Sequence, residues 1–219
     1  SFFILCIHIG NINKIIIKQL KEVAKKYGKD RMTEIIHEDN IEEITVDNLI
    51  EDYNLKLFLT AQNYIKKIPL TSLRVNPEQK LKENDEIIQE LETHNKADLL
   101  LFSNKHTVYK MKVHEINDCK ASNLGEYLTN LLELDQDESI IYIVATDNYS
   151  GYMMFFFENG KAAKIEMASY ATKTNRKKLA NAYSDAAKLV KMMFLAEDRE
   201  LVAVRSINQV LIFNTTNIY

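Results

Sequence analysis

The feature that most constrains this chain is an internal repeat. Four windows of twenty residues stack without gaps: NLKLFLTAQNYIKKIPLTSL (54–73), ADLLLFSNKHTVYKMKVHEI (97–116), GYMMFFFENGKAAKIEMASY (151–170) and RELVAVRSINQVLIFNTTNI (199–218). Their columns agree in physical type. The fourth position holds Leu57, Leu100, Met154 and Val202, and the sixth holds Leu59, Phe102, Phe156 and Val204. The fifteenth holds Ile68, Met111, Ile165 and Phe213, and the last holds Leu73, Ile116, Tyr170 and Ile218. Between the two apolar runs of each window lies a polar pair: Gln62-Asn63, Lys105-His106, Asn159-Gly160 and Ile207-Asn208. Asn-Gly is a strong hairpin signal, so each window is expected to be a β-hairpin. A further strand is expected ahead of three of them, at Glu86–Leu91, Ile140–Ala145 and Leu189–Leu195. A period of roughly 50 residues built from short strands suits propeller-like blades, because one hairpin cannot bury its face alone.

Ahead of the repeat, residues 11–27 read as an amphipathic helix. Ile16, Leu20, Val23 and Tyr27 fall on one face, most lysines lie off it, and Gly28 suits the residue just past the end. Residues 29–53 read as an acidic connector with a short helix near Val46–Asp52. Ser1–Ile9 is apolar but lacks a basic flank and is too short to span a membrane. Cys6 and Cys119 are far apart and show no metal spacing, which reads as two free thiols in a reducing cytosol.

The chain is 46% hydrophobic and 27% charged, with a net charge of −3, so it folds a core but is not globally basic like a dedicated DNA wrapper. No nucleophile motif, Walker loop or dinucleotide fingerprint occurs, and the five histidines show no ligand spacing beyond His106 and His114, on the two strands of one expected hairpin. An independent catalyst is therefore not expected.

Several motifs in order carry a family resemblance. QLKEVAKKYGKDRMTEI (19–35) resembles the end of the breakage-reunion core in the A subunits of bacterial type IIA DNA topoisomerases, gyrase and topoisomerase IV. DNLIEDYNLKLFLTAQNYIKKIPL (47–70) resembles the first strands of their C-terminal domain, with a Tyr-Ile-Lys-Lys-Ile-Pro signature, and 97–116 resembles the following blade. The resemblance implies a mostly β fold: a DNA-binding β-pinwheel at 54–219, with about three blades plus a partial fourth, after a helical core end (1–36) and a linker (37–53). It implies a module that helps present the transported DNA segment, while the catalytic tyrosine lies upstream and ATP and Mg act elsewhere in the holoenzyme. Implied partners are double-stranded DNA, the B subunit, plus a second A subunit, in a bacterial cytoplasm at the nucleoid and not at a membrane. Gyrase carries a Gln-Arg-Arg-Gly-Gly-Arg-Gly box after the first hairpin, whereas here residues 72–80 read SLRVNPEQK. That departure points toward a topoisomerase IV-like subunit.

DNA contact needs cations placed along a phosphate path. The fourteenth column offers Lys67, Lys110 and Lys164, broken by Ile212, with Lys66, Lys112 and Lys161 nearby. The most basic run, Lys173-Thr174-Asn175-Arg176-Lys177-Lys178, follows the third hairpin, and Arg74 lies where the gyrase box would be. The competing reading is a propeller-like protein-interaction module without DNA wrapping, its lysines keeping strand edges solvated.

Overall fold

The computed structural model describes residues 2–29, 49–74, 78–172, 177–204 and 209–218. The chain divides into two units, Ser1–Thr45 and Val46–Tyr219. In the first, α1 runs from Phe2 to Tyr27, nine residues earlier than the periodicity predicts. The apolar N-terminal run contains no proline, and one interior glycine is tolerated by a long helix. Gly28 follows the helix, donating its backbone N–H to Ala24 O at 2.7 Å. The expected stripe of Ile16, Leu20, Val23 and Tyr27 is exposed. The connector and its short helix near Val46–Asp52 fall largely outside the described residues.

The second unit begins with β1 (Asn54–Thr60) and β2 (Tyr64–Pro69), followed by α2 (Leu70–Leu73) and β3 (Ile87–His94). Next come β4 (Asp98–Ser103), β5 (Val108–Lys112), β6 (Glu126–Tyr127), α3 (Leu128–Leu131) and β7 (Ile140–Thr146). Then follow β8 (Tyr152–Phe157), β9 (Ala162–Glu166), β10 (Lys178–Leu179), β11 (Leu189–Leu195), β12 (Glu200–Val204) and β13 (Val210–Asn214). The four windows are four antiparallel hairpins in one register. Leu55 faces Pro69, Asp98 faces Lys112, Tyr152 faces Glu166 and Glu200 faces Asn214, so the second residue of every window meets the sixteenth. The turns share a device too. Asn63, His106 and Gly160 occupy the tenth position with φ of 65°, 59° and 79°. Glycine adopts this left-handed region freely, and Asn and His tolerate it better than most residues.

The first three hairpins grow into blades by recruiting later strands. The sheet orders are β3-β1-β2-β6, β10-β5-β4-β7, β11-β8-β9 and β12-β13. The strand expected ahead of a window thus pairs with the hairpin behind it. A two-residue strand emitted after the next hairpin then closes the blade: β6 returns to β2, and β10 returns to β5. Blades are tied across their seams as well. The Gln89 side chain of β3 behaves like a peptide group toward β7, donating to Ile143 O and accepting from Ile143 N, both at 2.7 Å.

The core consists of face-to-face layers between blades. Leu55, Leu57 and Leu59 of blade 1 pack with Leu99 and Leu101 of blade 2. Leu100 and Phe102, on the opposite face of β4, pack with Met153, Phe155 and Phe157 of blade 3. Successive strand residues point to opposite faces. Burial of both faces therefore requires the unbroken apolar run Leu99–Phe102. Even window positions face the next blade and odd positions face the previous one. In the fourth hairpin the forward positions Val202, Val204 and Ile212 are 61–71% exposed. Phe102 lies at the centre of the second layer, 5.4 Å from the Tyr170 ring in an edge-to-face pair. Phe102→Ala should cost about 3–5 kcal/mol in urea unfolding, whereas Val202→Ala, at the equivalent face without a following blade, should cost under about 1 kcal/mol.

Candidate nucleic-acid interface

The register decides where the fourteenth-column lysines go. Leu57 pairs with Lys67, Leu100 with Lys110 and Met154 with Lys164. Directly opposed residues share a face, so these lysines lie on the forward, blade-facing side with a buried apolar column. Each reaches the next hairpin or its flanks. The Lys67 ammonium lies 3.0 Å from Asp118, donates to Ile116 O at 3.1 Å and sits over the Tyr53 ring. The Tyr53 hydroxyl in turn donates to Asp118 at 2.7 Å, and burial followed by that contact raises its pKa. Lys110 sits 4.7 Å over the ring of Tyr149, just ahead of β8. Lys164 pairs with Asp198, donates to Thr215 O and lies 4.1 Å over Tyr152. The Lys164 hydrogen bond, then that of Thr215, lowers the Asp198 pKa. The column is a set of inter-blade staples.

Lys66 points the other way and is fully buried. Its ammonium donates to Ala121 O at 2.8 Å and Lys80 O at 3.1 Å, and burial depresses its pKa. Lys66 and Lys67 therefore do not lie on an exposed phosphate path as the sequence suggests, because both ammonium groups are committed to interior acceptors. Lys112 pairs with Asp98 across its own hairpin at 3.0 Å. Lys161 is exposed at the third turn, and Arg74 is exposed in a cleft it shares with Tyr53 and Asp118. Lys173 and Arg176 lie outside the described residues. Lys177 and Lys178 are exposed, held 3.3 Å from Glu115 and 3.2 Å from Asp135. The hydroxyl of Tyr109, then Asp135, raises the Lys178 pKa.

A subset of the exposed cations lies on or beside the segments that cross from one blade to close another. Cys119 N donates to Lys67 O, and Lys110 N donates to Lys177 O, both at 2.8 Å. The segment 119–127 thus runs along β2 as 177–179 runs along β5. Lys120 is exposed on the first crossing, and Lys80, whose N–H donates to Ala121 O at 2.9 Å, is exposed beside it. Lys120 is not legible as a site residue in the sequence, because it lies between windows and carries no repeat signal. Its place on a crossing segment comparable to that of Lys177 and Lys178 is seen only in the structure.

Among the described residues, no three His, Cys, Asp or Glu side chains converge as a metal site, and no helix is long and apolar enough to cross a membrane. The two kinds of lysine are separable by stability. Lys67→Ala should destabilise the protein by about 2–3 kcal/mol in urea unfolding, since it leaves a buried carbonyl and Asp118 without their cation, whereas Lys161→Ala should stay within about 0.5 kcal/mol.

No family profile matches the chain. It is 29% identical over 172 residues to the A subunit of DNA topoisomerase 4 from Bacillus subtilis (strain 168), covering 76% of this chain and 21% of the relative. With the corresponding Staphylococcus aureus protein the identity is 23% over 211 residues, covering 93% and 26%. The chain thus spans about a fifth to a quarter of these relatives. The solved C-terminal domain of DNA topoisomerase IV superposes with a TM-score of 0.60 at 26% identity, over 71% of this chain and 50% of that one. The chain is therefore a homologue of the bacterial topoisomerase IV A subunit, and its strands have the architecture of that protein's C-terminal β-pinwheel domain.

Proposed function

We propose that the chain is the DNA-binding and DNA-bending module of a type IIA topoisomerase A subunit. In the full enzyme it helps present the transported duplex for ATP-dependent strand passage, together with the B subunit plus a second A subunit, at the nucleoid in the cytoplasm. The observation that carries this reading is the register-identical blade repeat in a homologue of the topoisomerase IV A subunit. Exposed cations on or beside successive blade-crossing segments supply phosphate contacts: Lys120 with its neighbour Lys80 on blade 1, and Lys177 and Lys178 on blade 2. The run SLRVNPEQK at 72–80 lacks the basic, glycine-rich gyrase box and favours topoisomerase IV-like chemistry over chiral wrapping.

A second reading, a protein-interaction module without DNA wrapping, draws on the net charge of −3 and on the lysines used internally as staples. Duplex binding followed by fluorescence anisotropy between 50 and 200 mM salt (roughly the range over which counterion release is read) separates the two. Under the DNA reading, affinity falls steeply with salt. Replacing Lys173, Arg176, Lys177 and Lys178 together by alanine lowers the slope of log affinity by about 0.9 for each phosphate that is no longer neutralised. Replacing Lys80 and Lys120 does the same, and Lys161→Ala has a smaller effect. No duplex binding at low salt supports the interaction module. Unchanged binding by the quadruple variant removes that cluster from the interface.

A further inference from the structure

His94 ends β3 and is wedged between two carboxylates from different parts of the chain. Its Nδ1 lies 2.9 Å from Asp52 and its Nε2 lies 2.7 Å from Asp147. Asp52 belongs to the segment leading into β1, whereas Asp147 follows β7 of blade 2. A neutral imidazole has one donor nitrogen and one acceptor nitrogen. Two carboxylate acceptors therefore require both ring nitrogens to donate, which only the imidazolium can do. The same leading segment is held by the β3–β4 turn. Asn95 donates its side-chain N–H to Glu51 O at 2.8 Å, its backbone N–H donates to Tyr53 O at 3.0 Å, and Lys96 N donates to Asp52 at 3.2 Å.

We propose that His94 is a protonation-dependent clamp that fastens the segment at 51–53 onto blades 1 and 2. It is independent of the DNA reading, since no member of the triad is one of the proposed phosphate contacts. The charged groups that face the ring are Asp52 on the leading segment and Asp147 beyond β7, Lys96 on the turn acts on Asp52, and Glu51 and Glu92 are neighbours in sequence. Glu92 is drawn toward Lys56, 3.8 Å away, and Asp98 of β4 toward Lys112 and Tyr149, so neither competes for the ring. The Asp52 hydrogen bond, then the Asp147 one, raises the imidazole above its ordinary 6.5 against the opposing effect of burial. The clamp is therefore at full strength below pH 6.5 and is lost as pH rises through the raised folded value. At the acid limit it weakens again as Asp52, whose pKa the contact lowers from 3.8, takes up a proton.

The test is amide hydrogen exchange and imidazole NMR titration on the full chain, with exchange rates corrected for their intrinsic pH dependence. The expected result is that protection of the Asn95 and Lys96 amides, which donate to Tyr53 O and Asp52 on the leading segment, falls as pH rises above 6.5, by up to about tenfold per unit until the raised pKa is passed, while β4 stays protected. His94→Gln keeps a hydrogen-bonding side chain but no charge, so it should show the unprotected rate at every pH. Asp147→Asn should move the His94 titration downward. An imidazole titrating at or below 6.5 in the parent chain, or protection of the Asn95 and Lys96 amides that is independent of pH, overturns the clamp.

Discussion

Face-to-face packing between successive hairpins is the constraint on which the rest of the second unit depends. A twenty-residue hairpin has two faces, and blade 2 must bury both: Leu99 and Leu101 toward blade 1, Leu100 and Phe102 toward blade 3. Strand parity then assigns every other residue in the window a direction, forward or back. The common register of all four hairpins keeps that assignment constant, because a slip of one residue would send an entire apolar set to the wrong face.

The same parity turns lysines into structural residues. Position fourteen lies opposite position four, so Lys67, Lys110 and Lys164 point into seams between blades. There an aliphatic stem can pack while its ammonium finds a tyrosine face, an aspartate or a carbonyl. This resolves how a chain of net charge −3 can carry a lysine column without that column being a surface track. Lys120, Lys177 and Lys178, by contrast, lie exposed on the crossing segments and outside the seams.

Those crossings also join the blades into one cooperative body. β6 comes from beyond hairpin 2 and completes blade 1, and β10 comes from beyond hairpin 3 and completes blade 2. Neither of these two blades closes with its own contiguous residues, so disruption of one layer should propagate to its neighbours. Polar ties reinforce the seams. The side chain of Asn63 in the first turn accepts from Ile140 N at 2.9 Å and donates to Glu138 O. The His94 triad performs a similar service for the segment that leads into β1.

The sequence by itself determined the four hairpins, the turns of the first three and the apolar columns, because alternation and left-handed turn residues act locally. Asn63 and Gly160 announce their backbone conformation, and even His106 is placed by analogy with them. The seam-facing direction of the lysine column was also latent in the sequence, since a hairpin centred on position nine sets position fourteen against the apolar position four. Tertiary structure alone decided which hairpin each following strand joins, where the two-residue strands return, and that Lys66 ends beneath Ala121 and Lys80. It alone brought His94 between Asp52 and Asp147, residues more than forty positions away on either side. Such pairings leave no periodic trace, because they depend on how whole blades stack and not on the order of residues within one.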